Sequence, residues 1–259
     1  MSTFKAILKT LGFIALYVLV NTMILIGFFA FNPGVEIEDI SANAMTAMLI
    51  ATQLAILVII VLIYRKNFKD FVRLRKTTPK ILIWSFIIGL AGINISGLLI
   101  AGMDVLFPEQ MAAYIEAIEA SIGGASFVLS FIAAALLAPI VEEIALRGMF
   151  FRWFEKTNLK PWLIIVLSGF FFGLFHLNLI QGVFTTVIGI LYALGFYMTK
   201  SLWVPIVMHF GNNLFAVIAG ELPEAFLEST VFLVVSYAMI LLIPVGFLQI
   251  KKELTQGHS

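Results

Sequence analysis

Long apolar stretches, separated by short polar segments, set the pattern along this chain. Each stretch is close to the roughly 20 residues that an α-helix needs to cross a bilayer. The pattern therefore predicts an all-α membrane protein with about eight transmembrane helices in one bundle. The predicted spans are about 8–31, 44–64, 81–103, 124–150, 161–179, 182–198, 202–219 and 230–249.

The composition supports the same class of protein. In this chain 61% of the residues are hydrophobic and 12% are charged. A soluble domain averages about 45–50% apolar and about 25% charged residues. It has no cysteine, which excludes disulfides, a thiol nucleophile and a cysteine-ligated metal. The net charge of +1 gives no reason to expect a nucleic-acid partner.

The charged residues between the predicted spans alternate in sign. Lys and Arg lie before the first span, between spans two and three, four and five, and six and seven, and after span eight. Because basic loops stay in the cytoplasm, this pattern predicts that both termini are cytosolic. The remaining loops carry only acidic side chains, which are Glu36, Glu38, Asp39, Asp104, Glu109, Glu116, Glu119, Glu221, Glu224 and Glu228.

One outer segment is amphipathic. Met111, Tyr114, Ile115 and Ile118 share one helical face, opposite the acidic side chains of the same segment. The segment is therefore predicted to lie along the outer surface, as a connector or as a gate for substrate.

Glycine spacing predicts close helix packing in the second half of the chain. Gly169 and Gly173 form a GxxxG pattern, and Gly182, Gly189 and Gly195 follow in the next span. Small residues at this spacing let two helices approach closely. The fourth to seventh spans are therefore predicted to form one tight bundle.

Three charges interrupt the apolar stretch AALLAPIVEEIALRGMFF. Burying a charge at mid-bilayer costs at least about 2.5–3.5 kcal/mol, so such residues usually serve a function. Glu143 and Arg147 are four apart and share a helix face, whereas Glu142 points about 100° away. An ion pair near the cytosolic end would explain Glu143 and Arg147 but not Glu142. Pro139 is expected to kink the helix and make room for water.

Two histidines lie within later spans, and a third, His258, lies in the tail and is given no role. His176 ends the apolar run FFFGLFH, and His209 shares a helix face with Asn213. A carboxylate beside an imidazole can deprotonate a water, and a second histidine with an amide can stabilise an oxyanion. These groups are the parts needed to hydrolyse an amide bond.

Other designs of intramembrane protease fit the sequence less well. There is no His-Glu-x-x-His zinc helix, Ser168 lies in VLSG rather than Gly-x-Ser-Gly, and Asp104 has no aspartate partner within the membrane. A zinc site built from Glu142, His176 and His209 is the second choice. The first choice needs no metal or other cofactor.

Three stretches together resemble one known family, the CAAX-protease and bacteriocin-processing membrane proteins, also called Abi or type II CAAX prenyl endopeptidase-like. The family pattern is Glu-Glu-x-x-x-Arg, then Phe-x-x-x-His, then His-x-x-x-Asn. In this chain the pattern is EEIALR at 142–147, FGLFH at 172–176 and HFGNN at 209–213. The similarity covers roughly 124–220.

The resemblance implies a glutamate-dependent, metal-independent intramembrane endopeptidase. Glu142 would be the base that activates water, with help from His176. His209 and Asn213 would form the oxyanion hole. The side chains that support the site would be Glu143, Arg147 and Phe172. The resemblance divides the chain into N-terminal helices (1–123), a catalytic core (124–220) and a last helix with its tail (221–259).

The resemblance also bears on the partner and the cell compartment. It implies a membrane-associated peptide or protein substrate and a prokaryotic plasma membrane, with peptide processing or bacteriocin self-immunity as the biological role. A non-catalytic immunity or regulatory protein is an alternative. A proton-coupled carrier is another, although the sequence lacks the inverted repeat of many transporters.

Overall fold

The computed structural model describes residues 1–122 and 124–256. It shows an all-α polytopic membrane protein, as predicted, with no strand among these residues. His258 lies outside the described residues.

Nine helices of nine or more residues, numbered α1 to α9 here, form the described chain together with a few single turns. The amphipathic segment is helical, and three helices, α2, α5 and α9, change their hydrogen-bond register along their length. The bounds are α1 Thr3–Phe31, α2 Ala42–Phe71, α3 Pro79–Leu106, α4 Pro108–Ile122, α5 Phe127–Glu155, α6 Pro161–Phe175, α7 Leu179–Thr199, α8 Trp203–Ala219 and α9 Thr230–Gln256.

Six of these helices are long and apolar enough to cross a membrane: α1, α2, α3, α5, α7 and α9. The predicted spans 161–179 and 202–219 correspond to the shorter apolar helices α6 and α8, of 15 and 17 residues. The count of eight spans is therefore not confirmed. Helix α6 is shorter than predicted because Leu177 takes a φ of 51°, a left-handed conformation that ends a helix.

Polar contacts between distant segments hold the basic loops together at one end of the bundle, which we call the basic end. Arg73 forms an ion pair with Glu155 at 2.8 Å, and Lys200 reaches the same carboxylate at 3.6 Å. At the same end, Lys80 pairs with Glu253 at 3.2 Å. These contacts join Arg73 after α2 and Lys200 after α7 to the end of α5, and the first turn of α3 to the last turn of α9, as the charge alternation predicts.

Helices α6 and α7 pack closely, as their glycines predict. A Cβ atom on Gly169 would meet the carbonyl oxygen of Thr186, and one on Gly173 would meet the carbonyl oxygen of Gly182. A Cβ atom on Gly189 would meet Gly169 Cα at 3.0 Å. The backbones are therefore in direct contact, with no room for side chains at the crossing.

Helix α5 carries the two adjacent glutamates on a backbone that changes register twice. Two π-helical stretches, Phe131–Leu137 and Ile144–Phe150, flank the α-helical turn Ala138–Glu143. Pro139, which was expected to kink the helix, lies where the backbone changes its hydrogen-bond register, and the helix continues past it. Such π-helical turns are frequent at functional sites.

The amphipathic helix α4 covers the end of the bundle opposite the basic loops. Its Met111 packs with Met103 of α3 and Ile180 of α7, and Tyr114 contacts Phe184 edge-on at 6.2 Å. Its acidic side chains are exposed. The prediction of a surface helix is confirmed, and Ile118 of the same face reaches the cavity described next.

Candidate active site

The polar residues of the three sequence motifs surround a cavity of about 370 Å³ in the middle of the bundle. Eight helices, α1 to α8, contribute residues to its lining. The lining residues are Tyr17, Leu49, Gln53, Ser96, Ile118, Ala134, Ala138, Glu142, Phe172, Phe175, His176, Gln181, Phe184, Thr185, Ile188, Tyr192, His209, Asn212 and Asn213. Glu143 and Arg147 lie behind this lining.

Glu143, Arg147 and His209 form what we call the buried cluster. Arg147 Nη1 donates to Glu143 Oε1 at 2.8 Å, and both side chains are 0% exposed. Arg147 Nη2 donates to the carbonyl oxygen of Gly189 at 2.5 Å. The guanidinium also lies over the rings of Phe172 and Tyr192, at 5.2 and 5.6 Å. Arg147 thus links α5 to α6 and α7 while neutralising Glu143.

His209 is the third member of the buried cluster. Its Nδ1 lies 3.0 Å from Glu143 Oε1, and because a carboxylate only accepts, Nδ1 carries the hydrogen. The ring stacks on Tyr192 at 5.2 Å and contacts Phe172 at 5.4 Å. Sequence spacing placed His209 beside Asn213 but gave no sign of this bond to Glu143.

Glu142 has a different environment from its neighbour. Its side chain is 12% exposed and faces the cavity, and Oε2 lies 3.9 Å from His209 Nε2. No Lys or Arg side chain pairs with it in the part of the chain that the structure describes. A separation of 3.9 Å is too long for a direct hydrogen bond, but both groups can contact the same water through bonds of about 2.8 Å.

Asn213 uses its amide to satisfy the backbone that Pro139 disrupts. In the first π-helical stretch Ala138 N donates to Ala133 O, five residues back. The next donor in this register is Pro139, which has no N–H, so it cannot serve the carbonyl of Ala134. Asn213 Nδ2 donates to that carbonyl at 2.8 Å. The motif residue on α8 therefore also stabilises the unusual backbone of α5.

The second amide hydrogen of Asn213 is directed at His209. Nδ2 lies 3.2 Å from His209 Nε2, which accepts when Nδ1 carries the only ring hydrogen. In this arrangement neither side chain presents a free donor to the cavity. When the ring is protonated on both nitrogens, Nε2 becomes a donor and one hydrogen of Asn213 is released.

His176 lies in the cavity wall at the end of α6. Its Nδ1 lies 2.9 Å from the carbonyl oxygen of Phe172, so this nitrogen carries the hydrogen and Nε2 is the one able to accept. The ring contacts Phe172 and Phe175 edge-on, at 5.1 and 5.9 Å. Phe172, which is 2% exposed, thus separates His176 from the buried cluster.

Gln53 of α2 is a cavity residue that sequence reasoning missed. It is 2% exposed, and its Nε2 donates to the carbonyl oxygen of Ala133 at 3.2 Å. Its Oε1 has no partner among the described residues. A lone glutamine in an apolar span was the only signal in the sequence, and no motif accompanies it.

The side chains of the alternative zinc site lie around the cavity without a metal-binding arrangement. Among the described residues, no group of three His, Asp or Glu side chains is arranged so that it could hold a metal ion. His209 has its Nδ1 engaged by Glu143, and its Nε2 faces the amide of Asn213. The side chains present therefore do not form the proposed Glu142, His176 and His209 ligand set.

Comparison with known proteins agrees with the motif positions. Residues 124–215 match the family described as type II CAAX prenyl endopeptidase Rce1-like. Over 91 residues the chain is 35% identical to the Bacillus subtilis (strain 168) protein named "Putative membrane peptidase YdiL", a match that covers 35% of this chain and 36% of that protein. No solved structure matches the chain at a significant level. The matched residues 124–215 carry all three motifs, and the match is to the same CAAX-protease family that the sequence resembles.

Proposed function

We propose that this protein is an intramembrane endopeptidase in which Glu142 activates a water molecule. The observation that carries the proposal is the difference between the adjacent glutamates. Glu143 is neutralised by Arg147 at 2.8 Å, whereas Glu142 faces the cavity without a cationic Lys or Arg partner among the described residues. Glu142 is therefore free to take a proton.

The chemistry assigned to these groups is the hydrolysis of a peptide bond. A water held near Glu142 gives one proton to its carboxylate, helped by His176, and the water oxygen bonds to the substrate carbonyl carbon. The carbonyl oxygen becomes an oxyanion. The carbon–nitrogen bond then breaks, and the proton passes from Glu142 to the departing amine, which leaves a new carboxyl group and a new amino group.

His209 and Asn213 are assigned to the oxyanion. The buried cluster fixes Nδ1 of the ring on Glu143, so the ring becomes a donor to the oxyanion when Nε2 takes up a proton from the solvent before the carbonyl carbon is attacked. Nε2–H and the released hydrogen of Asn213 then point at the developing charge. Removal of one such donor typically slows a reaction by about 10²–10³-fold.

The membrane setting defines the kind of substrate. With several apolar helices around the cavity, a segment of a membrane-associated peptide or protein is the expected substrate. Peptide processing in a prokaryotic plasma membrane, including self-immunity to bacteriocins, is the role that we assign to this activity.

Purified wild type and Glu142→Gln, reconstituted with membrane-inserted model peptides, test the proposal. The isosteric substitution is expected to lower the cleavage rate by at least about 100-fold. Glu253→Gln, at the basic end, is the matched control and is expected to cleave like wild type. Cleavage by Glu142→Gln at the wild-type rate would contradict the proposal.

Metal dependence is tested in the same assay. The proposal expects wild-type cleavage to survive treatment with a chelator, in a preparation that contains no stoichiometric zinc by elemental analysis. Loss of cleavage that returns with added zinc would favour the zinc-dependent alternative. In cells, a comparison of the membrane peptides that accumulate with wild type and with Glu142→Gln would identify natural substrates.

A further inference from the structure

The cavity is closed toward the basic end of the bundle. Behind its lining lie the buried cluster and then a layer of fully buried aromatic side chains. Phe150, Phe151 and Phe196 are each at most 1% exposed, and the rings of Phe151 and Phe196 contact edge-on at 5.2 Å. This layer of buried rings lies between the cavity and a separate cleft at the basic end, to whose lining Arg73, Phe151 and Glu155 contribute.

The cavity extends toward the opposite end. Gln181 lies in the first turn of α7, and Ile118 belongs to the helix α4 that covers this end. From Tyr192, the innermost lining residue of α7, eight residues remain to Lys200 at the basic end, which corresponds to about 12 Å of helix. Gln181, by contrast, lies only two residues from the other end of α7. The cavity therefore runs from mid-bundle to the end opposite the basic loops.

That opposite end is acidic. The segments that follow α1 and α8, the last turn of α3, and helix α4 carry exposed carboxylates and no Lys or Arg. Glu109, Glu116 and Glu119 lie on the same helix as the cavity residue Ile118. A mouth with one sign of charge attracts ligands of the other sign and raises their local concentration. The lining itself contains no Lys or Arg among the described residues.

An unpartnered acceptor in the wall fits a peptide backbone. Gln53 Oε1 is buried and has no partner among the described residues, while the amide nitrogen of the same side chain is held by Ala133. A buried acceptor without a partner costs about 1–3 kcal/mol. The backbone N–H of a peptide in the cavity would supply the missing donor.

We propose that the cavity admits its peptide from the acidic end of the bundle and favours a peptide segment that carries positive charge. Because basic loops mark the cytosolic side, the acidic end is the outer face of the membrane. The identification of this peptide as a substrate rests on the proposed function, but the route of entry does not.

The absence of cysteine in the natural sequence makes the test direct. Single substitutions Gln181→Cys on α7 and Leu49→Cys on α2 each place a thiol in the lining of the cavity. Glu38→Cys and Lys76→Cys are controls in exposed loops at the acidic and basic ends. Two small methanethiosulfonate reagents of similar size, one cationic and one anionic, are applied to right-side-out and to inverted membrane vesicles.

The proposal expects both cavity thiols to react in right-side-out vesicles, as the Glu38→Cys thiol does. The Lys76→Cys thiol should react only in inverted vesicles. The ratio of the cationic to the anionic reaction rate should be about tenfold higher at the cavity thiols than for free cysteine. Added salt should lower this ratio, because it screens the carboxylates.

Two outcomes would overturn the proposal. Reaction of the cavity thiols only from the side that labels Lys76→Cys would place the entrance at the basic end. Equal rates for the two reagents, or a faster anionic reagent, would remove the preference for positive charge. Labelling needs no catalysis, so a failed entry test leaves the peptidase proposal intact. Conversely, the same labelling pattern is expected in a Glu142→Gln background even if no peptide is cleaved.

Discussion

Glu142 and Glu143 are neighbours in the chain but lie in two different regions of the molecule. Glu143 belongs to the buried cluster, is 0% exposed, and accepts hydrogen bonds from Arg147 and His209. Glu142 lies in the cavity wall and is 12% exposed, and the basic side chain that lies within 4 Å of it among the described residues is the imidazole of His209, at 3.9 Å. A rotation of about 100° along one helix thus separates a structural carboxylate from one available for chemistry.

The two regions depend on each other through α8. His209 contacts Glu143 in the cluster and faces Glu142 in the wall, while Asn213 holds both His209 and the backbone of α5. A change in the cluster should therefore reduce stability first and activity as a consequence. A change in the wall should affect activity while leaving the fold intact. The predictions below test this division.

The largest effect on stability is expected from Arg147→Met. Removal of the guanidinium leaves Glu143 buried without its counter-charge, which typically costs about 3–5 kcal/mol. The free energy of unfolding, measured by denaturant titration in detergent micelles, should fall by this amount. Lys160→Met, at an exposed position of the basic end, is the control and should change the value by less than about 0.5 kcal/mol. A change of less than about 0.5 kcal/mol for Arg147→Met as well would contradict the structural role assigned to the buried cluster.

A smaller effect is expected where α3 crosses α8. A Cβ atom on Gly89 would collide with the backbone carbonyl of Met208, the residue before His209. Gly89→Ala should therefore push the helices apart, lower stability by about 1–3 kcal/mol and slow cleavage. Gly97→Ala on the same helix is the matched control, because no atom lies within 4 Å of its Cβ position.

Gly97→Ala should be neutral or stabilise the protein by up to about 1 kcal/mol, since alanine favours the helix. The thermal unfolding midpoints of the two alanine variants give the comparison. Equal midpoints would mean that the close approach of α3 and α8 does not hold His209 in place.

Sequence reasoning predicted the class of the fold because apolar length and charge placement are local properties. It also predicted the pair of Glu143 and Arg147, since four residues bring two side chains to one helix face. The close packing of α6 and α7 followed from glycine spacing. The first two features can be read from spacing within a single segment of the chain. The third follows because small residues allow close packing in helices of any sequence.

The features that sequence reasoning missed come from contacts between helices. The bond from His209 to Glu143, the amide of Gln53 in the wall and the support that Asn213 gives to Ala134 each join segments far apart in the chain. The π-helical register around Pro139 was also missed, because proline predicts a disturbance but not its form. The predicted count of eight spans rested on hydropathy and on the alternation of charged loops, and these two signals do not fix where α6 ends.

The division of roles between the adjacent glutamates is tested most directly by measuring two properties of the same preparations. Glu142→Gln and Glu143→Gln are purified together with wild type, and the cleavage rate and the free energy of unfolding are determined for each. Glu142→Gln is expected to cleave at least about 100-fold more slowly while unfolding like wild type. Glu143→Gln is expected to lose stability, because Arg147 is then buried without its counter-charge. Wild-type cleavage by Glu142→Gln, or equal losses of stability in both variants, would contradict the account.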